Sequence, residues 1–70
     1  MSSSGVVIRF NGAERTVVST TVAELLDELE LANKRVAVEL NRNIVRRDSY
    51  QQTPISSGDV VEIVHFVGGG

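Results

Sequence analysis

The stretch that decides the fold is residues 60–67, Val60-Val61-Glu62-Ile63-Val64-His65-Phe66-Val67. Its β-branched residues are typical of a strand, in which successive side chains point to opposite faces. Glu62 is expected to face water, and the alternation places three apolar residues on the same face, namely Val60, Val64 and Phe66. The opposite face would pack against a helix and carries Val61, Ile63 and His65, with His65 near the rim.

The face that carries Val64 and Phe66 lies beside the chain end. An exposed apolar patch of this kind usually marks a partner site. We therefore predict that Val64, Phe66 and Val67 bind a partner. The alternative is that Val64 and Phe66 pair with side chains of neighbouring strands.

Three glycines follow the strand, Gly68-Gly69-Gly70. Glycine has no Cβ, so a tail of this composition is expected to be flexible and narrow enough to enter a tunnel in another protein. Four extended residues reach roughly 13 Å beyond the sheet. A narrow peptide with a terminal carboxylate suits insertion into a partner's active site. The alternative is a frayed end or a remnant of a cloning linker.

The sequence opens with a predicted β-hairpin. Val6 to Phe10 and Glu14 to Val18 are rich in strand-forming residues. Asn11-Gly12 lies between them, and both residues accept the positive φ angles of a type I′ turn. A hairpin is therefore expected at the start of the domain.

A helix is predicted from Val22 to Leu31 or Ala32. Thr21 to Glu24 matches a capping box, in which the threonine hydroxyl accepts from the Glu24 amide and the Glu24 carboxylate reaches back to the Thr21 amide. The helix would pack on the core through residues spaced at i, i+3, i+4 and i+7. These residues are Val22, Leu25, Leu26 and Leu29.

Two further strands are predicted at Val36 to Asn41 and Ile44 to Arg46, before the final strand. The final strand follows a long connection and is expected to pair with the first strand and lie centrally. The fold class is α+β, with a mixed sheet of four to five strands and one main helix packed on one face. The domain would span residues 5–67, preceded by residues 1–4 as a flexible N-terminus or expression scar and followed by residues 68–70 as the flexible tail.

The composition argues against several classes of function. The chain has 70 residues and no cysteine, which excludes a disulfide framework, a thiolate metal site and a thiol nucleophile. A net charge of −2 argues against nucleic-acid binding. No apolar stretch approaches a membrane span and no secretory signal is visible, so we expect a cytoplasmic protein without membrane contact. The one histidine, His65, has no nucleophile beside it in any motif, so we predict no catalytic residue, no metal site and no enzymatic activity.

Several segments, in this order, resemble the ThiS family of sulfur carriers of thiamine biosynthesis. They are Val38-Glu39-Leu40-Asn41, Ile44-Val45-Arg46-Arg47 with Tyr50, Gly58 to Val64, and Phe66 to Gly70. The Asn11-Gly12 hairpin and the helix from Thr21 to Leu29 also fit. The resemblance implies the ubiquitin-like β-grasp fold, with Val64 and Phe66 on the partner-facing strand.

The resemblance also implies the chemistry of the tail. An E1-like adenylyltransferase would use ATP and Mg²⁺ to activate the Gly70 carboxylate, and a sulfur donor (a cysteine desulfurase or sulfurtransferase) would convert it to a thiocarboxylate. Thiazole synthase would then accept the sulfur. Gly69 and Gly70 match the family's terminal motif, whereas the residue at Gly68 varies among such carriers. The carrier itself would bind no cofactor.

Three alternatives remain open at this point. A MoaD-like small subunit of molybdopterin synthase has the same fold and Gly-Gly end, although Phe66-Val67-Gly68 lacks the prolines usual there. A carrier for another thiocarboxylate pathway is the second alternative. The third is a ubiquitin-like interaction module whose tail is chemically inert.

Overall fold

The computed structural model describes residues 5–66, which form a five-stranded mixed sheet with one α-helix on one face. In chain order the elements are β1 (Val6–Phe10), β2 (Ala13–Val17), α1 (Val22–Glu28), β3 (Val36–Leu40), β4 (Asn43–Val45), a 3₁₀ helix (Arg47–Gln52) and β5 (Val60–His65). The strand order in the sheet is β2-β1-β5-β3-β4. β5 pairs in parallel with β1 and antiparallel with β3, which confirms that the last strand is central.

The core lies between α1 and one face of the sheet. Its buried residues are Ile8, Val17, Val22, Leu25, Leu26, Val38, Ile55, Val61 and Ile63. Burial of each of these aliphatic side chains contributes about 1.5–3 kcal/mol to folding. The predicted stripe of α1 is confirmed, since Val22, Leu25 and Leu26 are buried and Leu29 packs against them. No helix within residues 5–66 has the length and hydropathy needed to cross a bilayer.

The start of α1 differs in one contact from the predicted capping box. The Thr21 hydroxyl accepts from the Glu24 amide at 3.2 Å, as predicted. The Glu24 carboxylate, however, accepts from the amide and the hydroxyl of Thr20, both at 2.8 Å, and not from the Thr21 amide. Thr21 is held in an antiparallel bridge with Pro54, which keeps this segment extended as it enters the helix. The backbone and side-chain hydrogen bonds from Thr20 hold the pKa of Glu24 below its usual value.

The helix ends at Glu28, so the predicted end at residue 31 or 32 was wrong. Glu30 adopts a left-handed conformation with φ of 63°. Its amide donates to the Asp27 carbonyl at 3.0 Å, and the Leu31 amide donates to the Leu26 carbonyl at 2.7 Å. These two bonds form a Schellman motif, which closes the helix and usually has glycine at the left-handed position. Because the chain places a glutamate there, the sequence carried no stop signal.

The first hairpin forms as predicted. Asn11 and Gly12 have φ of 49° and 88°, as a type I′ turn requires. Phe10 pairs with Ala13 across the turn, so β2 runs from Ala13 to Val17, one position earlier than predicted.

The second hairpin uses the same geometry with a different sequence. Asn41 and Arg42 also have positive φ, 51° and 74°, and Leu40 pairs with Asn43. As a result, β3 ends at Leu40, and β4 spans residues 43–45 instead of the predicted 44–46. Arg42 thus occupies the position that glycine takes in the first hairpin.

Candidate functional site

The strand that leads into the tail is fastened on its β1 side by a side chain. Beyond the pairing of Phe10 with Val61, the Asn11 amide donates to the Val61 carbonyl at 2.9 Å. After this point the Asn11 side chain makes the hydrogen bonds that the backbone of a neighbouring strand would make. Its Nδ2 donates to the Ile63 carbonyl at 3.2 Å, and its Oδ1 accepts from the Ile63 amide at 2.8 Å. The turn residue therefore extends the sheet pairing of β5 towards the tail.

A second asparagine fastens the beginning of the same strand from the β3 side. The Asn41 amide donates to the Val60 carbonyl at 2.7 Å, and the Asn41 Oδ1 accepts from the Val60 amide at 2.9 Å. Its Nδ2 donates to Asp59 at 3.1 Å, and Asp59 in turn accepts from the Ser56 amide at 2.8 Å. The turns of both hairpins thus bind β5 directly.

The end of the strand is also held. His65 pairs with Val36, and the Phe66 amide donates to the Arg35 carbonyl at 2.9 Å. The chain is therefore fixed up to Phe66. Residues 67–70 lie outside the described residues, so the roles predicted for Val67, Gly68, Gly69 and Gly70 stay predictions.

We call the sheet face opposite α1 the outer face. Its apolar residues are Val7, Ala37, Ile44, Val60, Val64 and Phe66, as the alternation and the strand register require. Val64 is 57% and Phe66 52% exposed, whereas Val61 and Ile63 on the other face are buried. The predicted division of β5 into two faces is confirmed, and the exposed residues lie next to the base of the tail. Their binding of a partner stays a prediction. His65 is exposed, as expected of a residue at the rim.

Ile44 belongs to this face, although the sequence analysis did not place it there. It is 67% exposed and lies opposite Glu39 of β3. A two-residue turn at Asn41 and Arg42 requires this register. The alternation in β4 places Ile44 on the outer face once this turn is recognised. The turn was missed because arginine occupies the position at which glycine is usual.

The architecture defines the class of protein: a mixed sheet with a parallel central pair formed by the first and last strands, and one helix across a face, is the ubiquitin-like β-grasp fold. A solved structure supports this assignment at the level of the whole chain. The crystal structure of the thiamine biosynthesis protein (ThiS) from Geobacter metallireducens has a TM-score of 0.78 and 36% sequence identity. The match covers 93% of this chain and 100% of that one.

Sequence comparisons agree with the structural one. The sequence model of the ThiS family matches residues 8–70. The sulfur carrier protein ThiS of Bacillus subtilis is 46% identical over 50 residues, covering 71% of this chain and 76% of that protein. The corresponding protein of Thermus thermophilus is 34% identical over 64 residues, covering 91% of this chain and 100% of that protein. The chain belongs to the ThiS family of sulfur carrier proteins, as the resemblance implied.

A thiazole synthase also contains a similar segment. The thiazole synthase of Paramagnetospirillum magneticum is 49% identical over 61 residues, which cover 86% of this chain. The matched segment is 19% of that protein, so this chain spans about a fifth of its length.

Proposed function

We propose that this protein carries sulfur for thiazole formation in thiamine biosynthesis, as a thiocarboxylate on Gly70. The observation that carries the proposal is how the strand before the tail is held: β5 is the central strand and is hydrogen-bonded up to Phe66, and only Val67 and Gly68 separate Phe66 from Gly69 and Gly70. A rigid base with a narrow extension allows a partner to bind the domain while it encloses the terminal carboxylate.

The chemistry requires a partner because a carboxylate is a poor electrophile. An E1-like adenylyltransferase would use ATP and Mg²⁺ to join the Gly70 carboxylate to AMP, with release of diphosphate. The terminal sulfur of a persulfide on a cysteine desulfurase or sulfurtransferase would then attack the acyl carbon and displace AMP, which takes one carboxylate oxygen with it. A thiol reductant would cleave the resulting acyl disulfide, which leaves the thiocarboxylate on Gly70 and oxidises the two thiols to a disulfide. Since water would hydrolyse the acyl-adenylate, this step needs a site that excludes solvent. Gly68 and Gly69 would allow the tail to enter such a site, because no side chain widens the peptide.

The proposal makes the protein a co-substrate of other enzymes and not an enzyme itself. It would bind no cofactor of its own. Val64, Phe66 and Val67 would contact the partners, with the first two presented on the outer face. Thiazole synthase is the proposed sulfur acceptor, supported by the relative of that name that contains a similar segment.

Intact mass spectrometry tests the proposal. The protein is incubated with ATP, Mg²⁺, the adenylyltransferase of the same organism and a sulfur donor. A mass gain equal to the exchange of one oxygen for sulfur, localised to Gly70, is expected. Addition of one alanine after Gly70, or Gly69→Phe, should abolish the gain without unfolding the domain, whereas one residue added before Met1 should have no effect. Sulfur loading of the variant extended after Gly70 would contradict the proposal.

Two other outcomes identify the alternatives. Sulfur loading followed by transfer to the large subunit of molybdopterin synthase, and not to thiazole synthase, would indicate a MoaD-like carrier. Absence of loading by an active adenylyltransferase, together with partner binding that survives deletion of Gly69 and Gly70, would indicate an interaction module with an inert tail.

A further inference from the structure

The edge of the sheet is open at the beginning of β3. β4 pairs with β3 only from Val38 to Leu40 and ends at Val45. The 3₁₀ helix then begins at Arg47. Within residues 5–66, Val36 and Ala37 therefore have a neighbouring strand on one side only, where β5 pairs with them.

The backbone of Val36 directs its hydrogen-bonding groups to this open side. In an antiparallel pair, successive residues point their amide and carbonyl groups alternately towards the partner strand and away from it. The Phe66 amide donates to the Arg35 carbonyl at 2.9 Å, so the groups of Arg35 face β5 and those of Val36 face away from it. None of the loop and turn hydrogen bonds within residues 5–66 involves either group of Val36. An N–H and a C=O at a sheet edge form a template for pairing with another chain.

Val36 and Ala37 line a pocket of about 560 Å³, which we call the edge pocket. Its lining also includes Leu26 of α1, Val45 of β4 and Tyr50 of the 3₁₀ helix. The volume lies within the range of about 300–1,000 Å³ that is typical of ligand sites. The edge pocket thus combines apolar side chains with the backbone groups of the open strand.

The charge of the edge pocket is positive, although the chain as a whole has a net charge of −2. Lys34, Arg35 and Arg47 line it, and none of the lining residues within the described part of the chain is an aspartate or a glutamate. No ion pair within residues 5–66 involves these three cations, and the carboxylate of Asp48 lies 4.0 Å from Arg46. A ligand of the edge pocket is therefore expected to be anionic.

We propose that the edge pocket binds an extended acidic segment of a partner protein, which adds to β3 as a further strand. The backbone of the segment would accept from the Val36 amide and donate to the Val36 carbonyl, while its carboxylates bind the cations. A compact anion such as diphosphate matches the charge, but it has no N–H to donate to the Val36 carbonyl. The inference does not rest on the proposed function, because the sulfur chemistry takes place on Gly70.

The experiment is an NMR titration of the whole ¹⁵N-labelled protein with the capped peptide Ac-Glu-Val-Glu-Val-Glu-NH₂. The amide resonances of residues 34–38 should shift, with a Kd below about 1 mM. Two control peptides separate charge from strand pairing. One has glutamine in place of each glutamate, and the other keeps the glutamates but is methylated at every backbone nitrogen, so that it cannot donate to a carbonyl. Each should bind at least about tenfold more weakly.

Variants of the protein test the cations. Arg35→Gln combined with Arg47→Gln should weaken binding of the acidic peptide at least about tenfold. Both side chains are exposed, so the variant should keep the fold, which the remaining resonances of its spectrum verify. Arg15→Gln is the matched control, because it removes the same charge from β2, at the opposite edge of the sheet. It should bind the acidic peptide as the wild type does.

Each outcome decides the inference. Shifts at residues 34–38 that require both the glutamates and the backbone N–H groups of the peptide would support it. Absence of these shifts, or equal binding of either control peptide, would overturn it. An equal loss of affinity in Arg15→Gln would also overturn it, as would diphosphate binding to residues 34–38 more tightly than the peptide. The titration contains no adenylyltransferase, ATP or sulfur donor, so its result is independent of the proposed function.

Discussion

Glu30 closes α1 in the left-handed conformation, with φ of 63°. A non-glycine residue in this region brings its Cβ close to the backbone, at a cost of about 1–2 kcal/mol. Arg42 is in the same situation at φ of 74°, while Gly12 fills the equivalent position of the first hairpin. The two positions show that hydrogen bonds of the surrounding turn can impose a conformation that the residue itself does not favour.

Replacing Glu30 with glycine is expected to raise the free energy of unfolding by about 1 kcal/mol, because glycine adopts positive φ without the Cβ contact. Urea denaturation followed by circular dichroism measures the change. The matched control is Glu14→Gly within β2, where the backbone is extended and glycine should lower stability by about 0.5–1 kcal/mol. A Glu30→Gly variant no more stable than the wild type would contradict the assignment of strain to this residue.

Among the elements, β5 is bound by the two hairpin turns as well as by its neighbouring strands. The regular pairing of β1 with β5 extends to Phe10 and Val61, and the Asn11 side chain supplies the next two hydrogen bonds, to Ile63. Without them, the amide and carbonyl of Ile63 would lose their partners just before the exposed end of the strand. We call these two hydrogen bonds the Asn11 clamp, and it stabilises the segment that precedes the tail.

Asn11→Gly tests the clamp, because glycine keeps the positive φ of the turn and removes only the side chain. We expect a loss of about 1–3 kcal/mol in the free energy of unfolding, since two partly buried hydrogen bonds are left unmade. In native-state hydrogen exchange, the Ile63 amide should exchange faster, whereas the Phe66 amide, bound to the Arg35 carbonyl, serves as the internal control. Unchanged protection of Ile63 would show that β5 does not need the Asn11 side chain.

Local sequence signals predicted most of the elements, and two of the misplaced boundaries have a common cause. The alternation in residues 60–66 and the Asn11-Gly12 turn depend on neighbouring residues alone, and both were confirmed. The end of α1 and the turn at Asn41 were misplaced because Glu30 and Arg42 hold left-handed positions usually filled by glycine. The clamps on β5 could not be predicted, since they join residues far apart in the chain. For the candidate site, the outward orientation of Val64 and Phe66 was predictable, but the position of Ile44 required the register of the second hairpin.

In the molecule as a whole, the two sheet faces differ in exposure. Within residues 5–66, α1 covers one face and the outer face remains uncovered. Under the proposed function, a partner bound to the outer face would hold the central strand, which is followed by the last four residues. Four residues beyond Phe66 reach roughly 13 Å, which limits how far the partner's active site can lie from its docking surface.

This arrangement predicts that the outer face can be altered without loss of folding. Val64→Thr keeps the shape and β-branching of the side chain, and Phe66→Ser removes the exposed ring. Because both side chains are more than half exposed, the free energy of unfolding should change by no more than about 0.5 kcal/mol for each. Binding of thiazole synthase by the double variant should weaken at least about tenfold, as expected when apolar anchors of an interface are lost.

The matched control is Val18→Thr, the same chemical change at a residue that is 66% exposed and follows the edge strand β2, which β1 separates from β5. Its affinity for the synthase, measured by calorimetry, should equal that of the wild type. Unaltered binding by the double variant would move the docking surface away from the outer face. Equal weakening by Val18→Thr would instead indicate a general response to lost surface hydrophobicity. Weakening confined to the double variant would link the strand that fixes the tail to the surface that the synthase recognises.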